Sequence, residues 1–84
     1  MVAQTTTHDD AVDRIFRALA DATRRDIVRR TMTDEQSVTH LAADYDMSFA
    51  AVQKHVAVLE AAELIVKRAE GRERLVRANP ASIA

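Results

Sequence analysis

Apolar residues in the first half of the chain recur at helical spacing. The first predicted helix begins at Asp9, after a polar stretch, residues 1–8, that we expect to form a disordered tail. A second helix follows, with Asp21 or Thr23 as its capping residue. The apolar positions of the first helix are Val12, Ile15, Phe16 and Leu19. The arginines around the second helix, expected to form a solvated basic face with local partners such as Asp21 and Asp26, are Arg24, Arg25, Arg29 and Arg30.

Two shorter helices follow the polar break TMTDEQ. Ser37 is a suitable N-cap for the helix VTHLAADY, and Ser48 for a longer helix that extends to about Ala62. The residues DMS form a tight connection between them. Two helices joined by such a turn predict a helix-turn-helix.

The spacing of the apolar residues is no longer helical after Leu64. The segment LIVKRAEGRERLVRANP has β-branched residues on both sides of Glu70 and Gly71, which predicts a β-hairpin of residues 65–77. Pro80 ends the second strand, and ASIA can open a further helix. The sequence therefore predicts a mainly α fold with a small β-hairpin, a winged helix-turn-helix, formed by residues 9–84 as one domain.

A helical wheel of residues 49–63 separates two faces of the fourth helix. His55 falls inside the apolar arc, so it is expected at the edge of the core and not beside Lys54. The inward positions are Val52, Val56 and Leu59, flanked by Ala51, Val58 and Ala62. The outward positions are Phe49, Ala50, Gln53, Lys54, Ala57, Glu60 and Ala61.

The outward face has the chemistry of a helix that enters the major groove of DNA. Gln53 can both donate to and accept from an adenine edge, and Lys54 can donate to guanine or to a phosphate. The alanines keep the face low, and Phe49 suits a thymine methyl group. Taken alone, however, a Gln–Lys pair on a helix is also typical of an ordinary solvated face. Phe49 can equally fold back onto the third helix.

The charge distribution favours binding of a polyanion by the C-terminal half of the chain. The 84 residues have a net charge of −1, but residues 1–46 hold six basic and nine acidic side chains, whereas residues 47–84 hold six and four. The basic residues on or beside the hairpin, which can reach phosphates, are Lys67, Arg68, Arg72, Arg74 and Arg77. Glu70 and Glu73 offer these residues cross-strand partners as an alternative.

Composition excludes several classes of function. The chain has no cysteine, so it has neither a disulfide nor a thiolate ligand or nucleophile. No apolar run approaches the roughly 20 residues that span a bilayer, and the N-terminus does not resemble a secretory signal, so we expect a cytoplasmic protein. There is no glycine-rich phosphate loop and no zinc-protease motif, and the histidines have no catalytic arrangement around them, so we expect no enzyme.

Three segments together resemble the ArsR-type winged helix-turn-helix repressors of bacteria: ALADATRRDIV, SVTHLAADYDMSFAAVQKHVAVLEAAELI and VKRAEGRERLVRANP. The resemblance implies a homodimeric transcriptional repressor on a pseudo-palindromic operator in double-stranded DNA, commonly its own promoter. The DNA-reading positions that it implies are Ser48, Phe49, Ala50, Gln53, Lys54 and His55 on the helix of residues 48–62, and Lys67, Arg68, Arg72 and Arg74 on the wing. The wheel places His55 at the helix edge, in contact with backbone phosphate at most.

The sequence departs from the family pattern at three places. Ser37 and Thr39 stand where many members have metal-binding cysteines, so no metal and no cofactor is predicted, as in the metal-independent branch that the chain also resembles. His40 and Asp44 are spaced for one helix face, but two ligands make a weak metal site. Glu63 replaces the usual glycine, and would be strained if the backbone there is left-handed. The resemblance places the family's last helix after Pro80, where this sequence does not show it, so the dimer is expected to rest mainly on the first helix near Val12, Ile15, Phe16 and Leu19, or to be weaker than usual.

One rival interpretation stays open. The net charge of −1 and an exposed Phe49 also fit a winged-helix module that docks a protein partner and does not read DNA. No sequence pattern identifies an inducer, which stays unknown.

Overall fold

The backbone follows the predicted order of elements, with one added strand. The computed structural model describes residues 6–83, and the side chains of residues 9–81. Its elements are α1 (Thr6–Leu19), α2 (Ala22–Thr33), β1 (Gln36–Ser37), α3 (Val38–Ala43), α4 (Phe49–Ala61), β2 (Ile65–Glu70), β3 (Glu73–Ala78) and α5 (Pro80–Ile83). Helix α1 begins before the predicted start at Asp9, and residues 1–5 of the predicted tail lie outside the described part. The predicted fold class is confirmed: helices around a small antiparallel sheet.

Side-chain caps begin α2, α3 and α4. Asp21 accepts a hydrogen bond from the Arg24 amide at 3.0 Å, and Ser37 accepts one from the His40 amide at 2.9 Å. Ser48 accepts one from the amide three residues later at 3.1 Å. Each cap satisfies an amide that has no partner within its helix. The predicted N-caps of α3 and α4 are confirmed, and the choice at α2 is Asp21.

The sheet has the order β1-β3-β2 and is antiparallel throughout. The predicted hairpin is confirmed, with Gly71 at φ 60° in its turn, a conformation that glycine adopts without steric cost. The segment TMTDEQ is not wholly the polar break between helices that the sequence predicts. Its last residue, Gln36, begins strand β1 and pairs with Val76 of β3. A two-residue strand has no measurable period, so only the edge of the hairpin defines it.

The core lies between α2, α3, α4 and the inner face of the sheet. Its largest fully buried side chains are Ile27, Leu41, Leu59, Ile65, Val52, Val56 and Val76. Helix α1 contributes Ala18, which is completely buried although the apolar pattern did not single it out. Val58, which is predicted to flank the buried face of α4, is 38% exposed and so lies at the margin of that face. No helix within residues 6–83 is long and apolar enough to cross a membrane.

A polar cluster connects α2 to the helix-turn-helix. The Tyr45 hydroxyl donates to Asp26 at 2.5 Å, and Arg30 donates to Asp44 at 2.6 Å while its guanidinium lies 5.5 Å from the centre of the Tyr45 ring. Burial, together with the Asp26 hydrogen bond, raises the pKa of Tyr45. The contacts fix the start of the α3–α4 turn against α2.

The end of α4 adopts a left-handed backbone at Glu63, with φ 59°. The Leu64 amide donates to the Leu59 carbonyl at 3.0 Å and the Glu63 amide to the Glu60 carbonyl at 2.9 Å, which is the Schellman pattern. The Asn79 side chain donates to the Glu63 carbonyl at 2.9 Å. This conformation costs a residue with a Cβ about 1–2 kcal/mol. The expectation of strain at this position is therefore supported.

Candidate nucleic-acid interface

Helix α4 presents an outward edge of small and polar side chains. Its inward residues Val52, Val56 and Leu59 are buried and hold the helix on the domain. The exposed residues on the other side are Phe49, Ala50, Gln53, Lys54, Ala57, Glu60 and Ala61. Within the part of the chain that the structure describes, the side chains of Gln53 and Lys54 make no hydrogen bond or ion pair. The outward edge therefore has polar groups available to a ligand.

The N-terminus of α4 lies at the same edge. The Ser48 oxygen accepts the Ala51 amide, so its hydroxyl hydrogen is left to donate elsewhere. Phe49 is 46% exposed and is not among the residues that pack against the core. Ser48 thus lies beside Phe49 and Ala50, which form the first turn of the outward edge of α4.

His55 lies between the two faces of α4, as the helical wheel predicts. Its ring is half-buried, and Nδ1 lies 3.1 Å from a terminal nitrogen of Arg24. The expectation that the arginines of α2 have local partners holds for Arg29, which pairs with Asp26, but not for Arg24. No local sequence pattern predicts the contact between Arg24 and His55, because the two residues are 31 positions apart in the chain.

The hairpin divides its basic residues into paired and unpaired groups. Arg68 donates to both carboxylate oxygens of Glu35 at 2.9 and 2.8 Å, and Lys67 lies 3.5 Å from the Glu60 carboxylate of α4. The Arg68 hydrogen bonds hold the pKa of Glu35 below its usual value. The predicted wing residues Lys67 and Arg68 thus have carboxylate partners. Glu70 contributes a longer pairing with Arg68, at 3.5 Å.

The unpaired group consists of Arg72 and Arg74 at the hairpin tip and Arg77 near the end of β3. Their side chains make no hydrogen bond or ion pair among residues 9–81, and all three residues are exposed. Arg74 stands opposite Ala69 in the register, two positions from the pair of Lys67 and Val76. Because alternate residues of a strand share a face, Arg74 lies on the α4 side of the hairpin. The tip of the hairpin and the outward edge of α4 therefore carry the free cations of this surface.

His40 and Asp44, considered in the sequence as a weak alternative for a metal site, do not gain further ligands among the described residues. His40 lies 3.8 Å from Asp44, whose carboxylate also accepts from Arg30. Among the described residues, no group of three or more histidine, aspartate and glutamate side chains is arranged to hold a metal ion. The two side chains therefore form a surface polar pair.

The predicted dimer face of α1 is partly open. Phe16 is 69% exposed, whereas Ile15 and Leu19 are half-buried and pack against the core, and Val12 is half-buried. An exposed phenylalanine of this kind gives α1 a surface that can bind another apolar surface.

Comparisons with known proteins decide the family. No protein-family model matches the chain. Over 72 residues, 86% of this chain, it is 40% identical to the HTH-type transcriptional regulator Rv2034 of Mycobacterium tuberculosis, and it covers 67% of that protein. The crystal structure of an ArsR family transcriptional regulator superposes with a TM-score of 0.83 at 31% identity, over 89% of this chain and 77% of the other. The chain belongs to the ArsR family of transcriptional regulators.

A more distant ArsR-type relative supports the fold alone. The solution structure of a homodimeric winged helix-turn-helix DNA-binding domain from Mycobacterium bovis, a possible ArsR-family regulator, has a TM-score of 0.87 at 22% identity. It matches 99% of this chain and 77% of its own. The family membership identifies α3 and α4 as the helix-turn-helix and β2–β3 as the wing of a DNA-binding regulator.

Proposed function

We propose that this ArsR-family regulator is a cytoplasmic repressor that binds a pseudo-palindromic operator as a homodimer and represses its own promoter. The observation that carries the proposal is the outward edge of α4. There, the side chains of Gln53 and Lys54 are exposed and have no partner among the described residues, and Ala50 and Ala57 lie beside them. Small neighbours let the helix approach base edges closely, and the unpaired amide and ammonium groups supply the hydrogen bonds.

In this proposal α4 reads the major groove. Gln53 binds an adenine edge, Lys54 a guanine edge or a phosphate, and Phe49 a thymine methyl group. The Ser48 hydroxyl donates to a phosphate near the start of the helix. His55, on the flank of the helix, contacts the backbone and not the bases.

The wing supplies contacts to the DNA backbone. We assign them first to Arg72 and Arg74, whose guanidinium groups are free of carboxylates in the described residues. Lys67 and Arg68 must leave Glu60 and Glu35 before they can reach a phosphate. Their contribution is therefore smaller than the family resemblance implies.

The homodimer is proposed to form through α1. The support is the exposure of Phe16 on the same helix face as Val12, Ile15 and Leu19. A second copy of this face would cover the phenylalanine, in an arrangement where both copies contribute the same residues.

Selection of bound sequences from a random duplex pool tests the proposal directly. We expect enrichment of two inverted half-sites whose centres lie about one helical turn, roughly 34–36 Å, or a multiple of it apart. Enrichment of a single half-site would contradict the homodimer, and no enrichment would contradict DNA reading. A reporter gene behind the protein's own promoter tests repression, since expression is expected to fall when the protein is supplied.

The exposure of Phe49 favours a second candidate function, docking of a protein partner on α4. The salt dependence of binding distinguishes the two functions. Binding to duplex DNA releases counterions and weakens steeply as salt is raised, whereas an apolar docking surface does not. A duplex affinity that is independent of salt would favour the docking module.

A further inference from the structure

Arg24 connects three helices through one side chain. Its Nε donates to the Ala18 carbonyl at 2.7 Å and its Nη2 to the Arg17 carbonyl at 3.0 Å, both in the last turn of α1. Its Nη1 lies 3.1 Å from Nδ1 of His55 in α4. The backbone of Arg24 is itself fixed, because its amide donates to the α2 cap, Asp21. The guanidinium is therefore anchored from α2 and touches both of the other helices.

The contacts to α1 are of a strong kind. The last carbonyls of a helix have no complete set of partners within it and carry the negative end of the helix dipole. A cationic donor with a planar fork satisfies two of them at fixed geometry. Arg24 thus holds the end of α1 at a defined direction relative to α2.

The contact to α4 defines the state of His55. A guanidinium has only donors, so Nδ1 must keep its lone pair and accept. The neutral ring then carries its proton on Nε2. Nε2 makes no hydrogen bond in the described part of the chain, and the ring is half-buried on the flank of the helix. Loss of Arg24 would release both the tautomer and the orientation of the ring.

The other arginines of α2 do not make this connection. Arg25 donates to the Leu19 carbonyl at 2.6 Å and so caps α1 without reaching α4. Arg29 pairs with Asp26 within its own helix, and Arg30 donates to Asp44 and Gln36. Among these four, Arg24 alone joins the helix of the proposed dimer face to the helix of the proposed reading edge.

We propose that Arg24 is a positioning residue that sets the spacing of the two half-sites which the dimer accepts. The partner protomer sits on α1, and α4 enters the groove, so the angle between α1 and α4 determines the distance and rotation between the two recognition helices. Arg24 fixes that angle through the α1 carbonyls and His55. The inference rests on the proposed homodimer on a two-part operator, and it adds the residue that makes the dimer selective for spacing.

The first test uses the free protein and no DNA. Nitrogen-15 NMR of the histidine rings is expected to show His55 as the Nε2–H tautomer in the wild type, and as a tautomer mixture in Arg24→Gln. Arg25→Gln is the matched control, because it removes an α1 cap of the same chemistry and is expected to leave the His55 signals unchanged. A wild-type ring that is protonated on Nδ1, or an Arg24→Gln spectrum equal to that of the wild type, would overturn the connection.

The second test measures affinity for the selected operator and for the same operator with one base pair inserted at its centre. The insertion moves the half-sites about 3.4 Å apart and rotates them by about 35°. We expect wild type and Arg25→Gln to lose about tenfold or more on the insertion, and Arg24→Gln to lose about threefold or less. His55→Phe, which removes the acceptor, is expected to lose selectivity as Arg24→Gln does. Binding to a duplex with one half-site is expected to change by less than about twofold in Arg24→Gln.

The outcomes separate the inference from the function on which it rests. Failure of the wild type to bind any selected operator would end the proposed function, while the NMR result would still report on the connection. If the wild type binds and discriminates against the insertion, but Arg24→Gln retains the same ratio of affinities, the positioning role is wrong. Thermal unfolding of both glutamine variants distinguishes a lost ratio from a lost fold.

Discussion

The hairpin tip is predicted to account for a defined part of the salt dependence of DNA binding. Each phosphate contact that replaces a counterion contributes about 0.9 to the slope of log K against log salt. A dimer holds two copies of Arg74, so Arg74→Gln is expected to reduce the slope by about 1.8. The same reduction is expected for Arg72→Gln. Arg68→Gln is expected to change the slope little, because its guanidinium is occupied by Glu35 at 2.8 and 2.9 Å.

Glu35→Gln provides the complementary perturbation. It removes the carboxylate that accepts both Arg68 hydrogen bonds and leaves the longer contact with Glu70 at 3.5 Å, so a third cation on each wing becomes available to the DNA backbone. The salt dependence is then expected to be steeper than that of the wild type, with a slope about 1.8 larger in magnitude. Because the Arg68 side chain is 55% exposed and the Glu35 side chain 29% exposed, the pair lies at the surface and contributes modestly to stability, so the folded state is expected to survive the change.

Fluorescence anisotropy of a labelled operator between about 50 and 200 mM salt measures these slopes. Arg29→Gln is the control, because Arg29 is exposed on α2 and pairs only with the neighbouring Asp26. Equal reductions for Arg68→Gln and Arg74→Gln would refute the reasoning, since they would mean that the ion pair with Glu35 does not withhold Arg68 from DNA.

Three further predictions concern stability and assembly. Glu63→Gly is expected to raise the free energy of unfolding by about 1 kcal/mol in denaturant titration, because glycine adopts the positive φ without strain; Glu63→Ala keeps the strain, and an equal gain there would contradict this cause. Asp21→Ala is expected to cost about 1 kcal/mol at neutral pH through loss of the α2 cap. The Arg24 amide lowers the pKa of Asp21, so this contribution is present above the usual carboxyl pKa and is lost as pH falls through the lowered value, below about pH 4. If the loss of unfolding free energy in Asp21→Ala stayed constant as the pH fell below about 4, the ionised carboxylate would not be the cap. Phe16→Asp is expected to convert dimer to monomer in sedimentation experiments without loss of the fold, because Phe16 is 69% exposed in the protomer; a variant that remains dimeric would place the interface elsewhere.

The parts of the fold that sequence predicts are those with local causes. The capping serines and Asp21 bind amides only three positions away, so their pattern is visible in any short window. The hairpin is similar, because Gly71 and the change of period lie within a few residues of each other. The inward face of α4 follows from helical geometry, although Val58 at its margin is exposed.

The parts that sequence does not predict depend on distant partners. Arg24 and His55 are separated by 31 positions, and Arg68 and Glu35 by 33. No window that reveals a helix or a hairpin contains both members of such a pair. Strand β1 is likewise defined only by the edge of β3. The consequence for the candidate site is specific: residue type identifies the basic residues of the wing, but the tertiary contacts decide which of them are free.

That distinction changes what the net charge implies. A chain with a net charge of −1 is a poor candidate for nonspecific attraction to DNA, and pairing of Lys67 with Glu60 and Arg68 with Glu35 reduces the available charge further. The free cations of the proposed surface are then Lys54, Arg72 and Arg74 in each protomer, which predicts a slope of roughly −5 for a dimer that uses all six. Electrostatic attraction of that size gives modest affinity for random duplex. On the proposed function, selectivity then comes from base contacts along α4 and from the spacing of two recognition helices, and the angle between α1 and α4 is expected to be as important to operator choice as the proposed reading residues.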